Sequence, residues 1–186
     1  MGRGVFLKRA LIFGALLLGV KLLRDSALSD IRNAIDHPNV KAFLAMIRRF
    51  ESAGKYDVIY GGQKFASFAE HPQIRVAFID PRNGKENYST AAGAYQITYP
   101  TWLTIQAVAA LPDFSPRSQD LAAVTLLKIR GALGYVIAGD MDNALRVASK
   151  TWASLPYTDS QQRHVTVDVA LSTYTANGGT YARTTG

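Results

Sequence analysis

The stretch NVKAFLAMIRRFESAGKYDVIYGG, residues 39–62, changes its hydrophobic period in mid-course, and that change limits what the chain can fold into. Val40, Phe43, Leu44, Ile47 and Phe50 recur at helical spacing, which predicts an amphipathic helix with one buried face. Gly54 is the expected stop. YDVIYGGQKFASF then places two short β-prone runs about Gly61-Gly62, the pattern of a hairpin. A helix that ends against a hairpin leaves a groove between the two elements.

Helical patterns dominate the rest of the chain. IDPRNGKENYSTAAG is a long polar segment rich in turn residues, expected to be a loop that rims a cleft. YPTWLTIQAVAAL carries Pro100 near its start. SPRSQDLAAVTLLKIRGALGYVIAG opens with a serine cap and a first-turn proline, then runs apolar. DMDNALRVASKTWASLP and DSQQRHVTVDVALSTYTANGG each read as one further helix. The expected fold is α+β, mostly α, with one small sheet and with Trp102 and Trp152 in the core. Neither a repeat nor a low-complexity linker follows residue 25, so the body reads as one domain.

Charge and cysteine usage exclude several function classes. Of the formal net charge of +7, the first 25 residues carry +4, from Arg3, Lys8, Arg9, Lys21 and Arg24 against Asp25, which leaves +3 for the body. No Lys/Arg run in the body exceeds two residues, so a nucleic-acid footprint is not expected. A weakly cationic body suits an acidic partner such as a bacterial envelope polymer. With no cysteine there is no disulfide, thiol nucleophile or thiolate ligand, and His37, His71 and His164 form no ligand-spaced pair. No metal and no cofactor is expected.

MGRGVFLKRALIFGALLLGVKLLRD has basic residues, an apolar run from Ala10 to Val20, and then Lys21. A stable transmembrane helix needs about 20 apolar residues, and this run is shorter and diluted by Gly14 and Gly19. A cleavable signal peptide is the alternative, but RDSALSD offers no good small-x-small site; a core helix is another. The expectation is a marginal, uncleaved export anchor over residues 1–29, with the N-terminus cytoplasmic and residues 30–186 outside.

Glu51 lies seven residues after Leu44 and four after Ile47, so it shares their helix face at the C-terminal end. Partial burial and the negative end of the helix dipole both disfavour its charged form. A carboxyl held protonated near neutral pH can act as a general acid. The plainer reading is a solvated glutamate, or one paired with Arg48 three residues earlier.

FES, YDVIYGG, GAYQIT, DFSPRSQD and TWASLP, taken in order, resemble the endolysin family typified by phage lambda, whose members are similar to lytic transglycosylases of the lysozyme superfamily. The likeness spans roughly residues 40 to 180. It implies a lysozyme-like domain in which Glu51 matches the catalytic glutamate. By the same likeness Asp57 matches a cleft aspartate, and Tyr95 and Gln96 match the Tyr-Gln pair lining the sugar sites. Ser52 matches the Glu-Ser pair of other transglycosylases. No site residue is carried over from the segment before Trp152, and His164 is expected to be a surface histidine on the last helix. The implied substrate is the peptidoglycan glycan strand, cut between N-acetylmuramic acid and N-acetylglucosamine to leave a 1,6-anhydro sugar, by a monomer.

The N-terminal run then resembles the signal-arrest-release segment of other phage endolysins, tethered to the host inner membrane through residues 1–25 and facing the periplasm before release into it. Three rival readings stand beside this: a hydrolytic lysozyme of the same fold, a catalytically silent glycan-binding protein, and a membrane-active toxin acting through residues 1–30.

Overall fold

The computed structural model describes residues 28–159 and 164–181. The expected N-terminal anchor therefore lies outside the described residues but for its last two, and these belong to a helix. That helix, α1, is helical over the described residues 28–34, and Ile31 and Ile35 on and after it are buried. The boundary drawn at residue 29 thus falls inside α1.

Helix α2 (Pro38–Ser52) is the centre of the molecule. Pro38 presets the first turn, and Nδ1 of His37 accepts the amide of Asn39 at 3.2 Å, satisfying one of the free helix-start donors. Its predicted apolar face is the buried one: Val40, Phe43, Leu44 and Ile47 are all at or below 2% exposure. That face packs on α4 (Pro116–Arg130), α5 (Leu133–Ala138) and α7 (Val167–Ala176). The helix stops one residue before the expected glycine. Ala53 takes the left-handed conformation at φ 54°, and its amide and that of Gly54 both bond back to the Arg48 carbonyl.

Helix α3 (Tyr99–Ala109) covers its predicted segment. The next segment, read as a single apolar run, is two helices. Gly131 adopts φ 79° and donates to the Leu127 and Lys128 carbonyls, and Ala132 bonds to Leu127 at 2.8 Å, so the chain turns between α4 and α5. The segment after that is also shorter than expected: α6 (Met141–Ala148) ends, and residues 149–157 turn across the core. There the indole Nε1–H of Trp152 donates to the Tyr95 carbonyl at 3.2 Å, which a continuing helix would prevent. Trp102 and Trp152 are both core residues, as expected.

The sheet is where a loop was expected. β1 (Val76–Ile79) pairs antiparallel with β2 (Glu86–Ser89), from Val76 opposite Ser89 to Ile79 opposite Glu86. β2 is polar and mostly exposed, so no apolar alternation marks it; backbone pairing with β1 makes it a strand. The predicted Gly61-Gly62 hairpin is a tight turn with a single bridge, Val58 to Lys64, beside it. It is tied to the body through Tyr60 N–H to Ala91 O and Gly93 N–H to Val58 O. Gly93 (φ 76°) cannot carry a side chain, because a Cβ there would lie 2.2 Å from Oε1 of Gln119. That close approach lets Gln119 accept the Ala94 amide and donate to Phe114 O and Tyr56 O, joining α4 to both flanks of the cleft.

Candidate active site

The end of α2, the Val58–Gly62 turn, the Ser89–Thr98 segment and the turn after α6 enclose a cleft of about 580 Å³. Glu51 stands in its wall, half-buried. Burial pushes its carboxyl above the ordinary glutamate value, while hydrogen bonds from the hydroxyl and backbone N–H of Ser154 hold part of that rise back. The Ser154 hydroxyl donates to Oε1 at 2.5 Å. A carboxylic acid in a water-poor wall with a fixed orientation is suited to giving up a proton and taking one back.

The alternative pairing of Glu51 with Arg48 is not what forms. Arg48 turns to Tyr95 and Asp120 instead: Nη1 donates to Tyr95 Oη at 3.0 Å and lies 3.3 Å from Oδ1 of Asp120. Tyr56 and Tyr95 donate to the same Asp120 oxygen at 2.8 and 2.5 Å. Burial, then Asp120, pushes the Tyr56 phenol up to about 12, and the same two causes raise Tyr95 well above its ordinary value. This knot locks α2 to α4 behind the cleft.

The other expected site residues divide. Gln96 lines the cleft at φ 46°, its amide donating to Gly93 O at 3.0 Å and its amide oxygen accepting no bond from the described protein. Ser52 lines it too, with its hydroxyl turned back to the Arg48 carbonyl. Tyr95 is a correction: at 1% exposure and held in the Asp120 knot, it offers a sugar no ring face. It is buried because the segment 92–97 closes on itself, Ala92 bonding Ile97 in both directions, and turns the ring inward. Asp57 is not among the cleft-lining residues; its carboxylate sits 2.9 Å from Lys64 Nζ, which holds it below the ordinary aspartate value. His164 is exposed as expected, although it precedes α7 rather than lying on it.

Two residues of this site were missed in the sequence. Ser154 holds Glu51, and Thr151 lines the cleft with a buried Oγ1 that has no hydrogen-bond partner. Both lie in TWASLP, one of the quoted segments, but neither shows any periodic or motif signal by itself. Among the described residues no cluster of three His, Cys, Asp or Glu side chains could hold a metal ion, and no helix is long and apolar enough to cross a membrane.

Comparison with known proteins matches this geometry to a family. The endolysin family model matches residues 41–181. The endolysin of Escherichia phage P2 is 35% identical over 158 residues, covering 77% of this chain and 94% of that protein. The endolysin of Escherichia phage lambda is 34% identical over 149 residues, covering 75% and 91%. Two solved structures of bacteriophage lambda lysozyme superpose with TM-scores of 0.70 and 0.68 at 34% and 33% identity, each covering 78% of this chain and 97% of its own; the first is a complex with a chitohexasaccharide. With its family, its lysozyme fold and its mostly helical architecture agreeing, this chain belongs to the endolysin family, as a lysozyme-like phage enzyme that degrades peptidoglycan.

Proposed function

We propose that the chain is a lytic transglycosylase with Glu51 as its one catalytic carboxylate, cutting the bond between N-acetylmuramic acid and N-acetylglucosamine. The observation that carries this reading is that Glu51 is the only acidic residue among the described residues lining the cleft. A glycosidase that inverts or forms a glycosyl-enzyme works with two carboxyl groups flanking the bond. Asp57, the second carboxylate the sequence offers, is engaged by Lys64 and outside the lining.

In this reaction the Glu51 carboxyl gives its proton to the bridging oxygen, and the bond from that oxygen to C1 of the muramic acid breaks. The N-acetyl oxygen of the same sugar stabilises the cation developing at C1. The sugar's own 6-hydroxyl then attacks C1, passing its proton to the Glu51 carboxylate. The acid is restored, no water is consumed, and the product is a 1,6-anhydro sugar. Ser154 orients the carboxyl through both half-reactions, and Gln96 has an amide oxygen free to accept a bond from a sugar group.

Residues 1–25, with their short, glycine-diluted apolar run, are proposed to tether the enzyme to the host inner membrane with its body in the periplasm until release. Mass analysis of sugars released from purified peptidoglycan tests the chemistry, with Glu51→Gln beside the parent. Anhydromuramyl products that vanish with Glu51→Gln support the transglycosylase. Reducing-end products, heavier by one water, would instead make the enzyme a hydrolase and direct attention to Asp57.

A further inference from the structure

Tyr60 is the only aromatic residue among the described residues lining the cleft, and the chemistry above does not use it. It stands immediately before the Gly61-Gly62 turn. Its seat is fixed: its backbone N–H donates to Ala91 O at 2.8 Å, and Gly62 N–H closes the turn onto Ile59 O at 2.9 Å. The ring rests on Phe78 of β1, with centroids 5.5 Å apart and planes at 53°. It is half-buried, and its hydroxyl makes no hydrogen bond to the described protein.

A tyrosine that were only part of the core would be covered, or would have a partner for its hydroxyl. This one lines the cleft, packs on Phe78, is only half-buried and has a polar tip left over. We infer that Tyr60, backed by Phe78, is the sugar-stacking platform of the cleft and takes the apolar face of one N-acetylhexosamine unit. The inference rests on the reading of the cleft as a glycan site. In a β-1,4-linked N-acetylhexosamine the ring substituents are equatorial, so each face of the pyranose presents axial C–H groups. Those hydrogens match the electron-rich face of a phenol ring. The free hydroxyl at the ring's tip then reaches an equatorial polar group at the sugar's edge, as an amphipathic side chain does at any half-wet site. Such a contact uses no charge, so it serves neutral chitin-type oligosaccharides as well as the acidic peptidoglycan strand. It also supplies the ring face that the buried Tyr95 does not.

The test is titration of chitohexasaccharide into Glu51→Gln protein, where no turnover intervenes, alone and with Tyr60→Ala, Tyr60→Phe or Phe78→Ala added. Steady-state rates on peptidoglycan are measured for the Tyr60 variants with Glu51 intact. Tyr60→Ala should weaken binding about tenfold, the size of one well-packed aromatic contact, and the loss should fall on KM more than on kcat. Tyr60→Phe should recover most of the affinity, and Phe78→Ala should fall between the two. Parent-like binding and KM for Tyr60→Ala, in an enzyme that still degrades peptidoglycan, would overturn the platform while leaving the reading of the cleft intact. A parent protein that neither binds the hexasaccharide nor degrades peptidoglycan would overturn both.

Discussion

Ser154 donates its hydroxyl to the carboxyl of Glu51 at 2.5 Å, although the two residues lie 103 positions apart in the chain. The contact exists because α6 ends at Ala148 and the following turn brings Ser154 over the last turn of α2. The turn after α6 therefore orients the acid that stands at the end of α2.

Replacing Ser154 with alanine removes the hydroxyl and keeps the backbone N–H. Burial then acts on Glu51 with less opposition, so its pKa rises further above the ordinary value. The alkaline limb of the kcat/KM profile, where the acid loses its proton, should move to higher pH. A rate-pH series on peptidoglycan for parent and Ser154→Ala checks this, and a limb moving to lower pH would contradict it.

Glu51→Gln should cost roughly 10²–10⁴-fold in activity, the range for a positioned general acid, while making the fold more stable at neutral pH. The folded carboxyl has a pKa above the unfolded 4.5, so its stabilising contribution is complete below that value and is lost as pH rises through the folded one. Glutamine never ionises. Its melting temperature should equal the parent's near pH 4, exceed it progressively as pH rises, and level off above the folded pKa.

Asp120 accepts from Arg48, Tyr56 and Tyr95 together, and both members of the ion pair have side chains less than a quarter exposed. Asp120→Ala leaves a guanidinium and two phenols unmatched behind the cleft. A loss of about 3 kcal/mol is expected, as for other half-buried charge partners left alone. Urea unfolding measures it, and a loss within the error of the extrapolation would show that water replaces the aspartate.

His71 is 1% exposed among the rings of Tyr99, Trp102 and Phe114. Nε2 donates to Ile97 O at 2.9 Å and Nδ1 accepts the Gln73 amide at 3.1 Å, an arrangement that requires the neutral ring. Burial lowers its pKa from 6.5, so the unfolded chain takes up a proton first and stability falls as pH drops below about 6.5. His71→Gln should cost about 1–3 kcal/mol at pH 8, and that difference should shrink at pH 5. A difference constant with pH would count against the neutral buried histidine.

Thr151 carries the one buried side-chain polar atom among the described residues without a partner. Valine has the same shape and no hydroxyl to strand, so Thr151→Val should raise stability by about 1 kcal/mol. Thermal unfolding reads this directly, and a matching loss would reveal a hydrogen bond made through water.

The central helix and its buried face were legible from apolar spacing, because a helix presents every third and fourth residue to one side whatever lies there. That spacing also set Glu51 at the end of the buried stripe. The Gly61-Gly62 turn was legible from its glycines, and the family from five short segments in order. Periodicity is silent about β2, whose polar residues form a strand only because Val76–Ile79 lies alongside. It is equally silent about the Gly131 break, since glycine within an apolar run is compatible with a continuous helix or with two.

The information readable along the chain was thus local: which faces are apolar, where helices begin, and which carboxylate stands at a helix end. Tertiary structure decided the rest. It sent Tyr95 into the core and Arg48 to Asp120, drew Asp57 onto Lys64, set Ser154 against Glu51, and brought Thr151 and Tyr60 to the cleft. The physical reason is that a helix face depends on neighbours three and four residues away, whereas these contacts depend on how separate elements pack and on which partner satisfies each polar group once water has left.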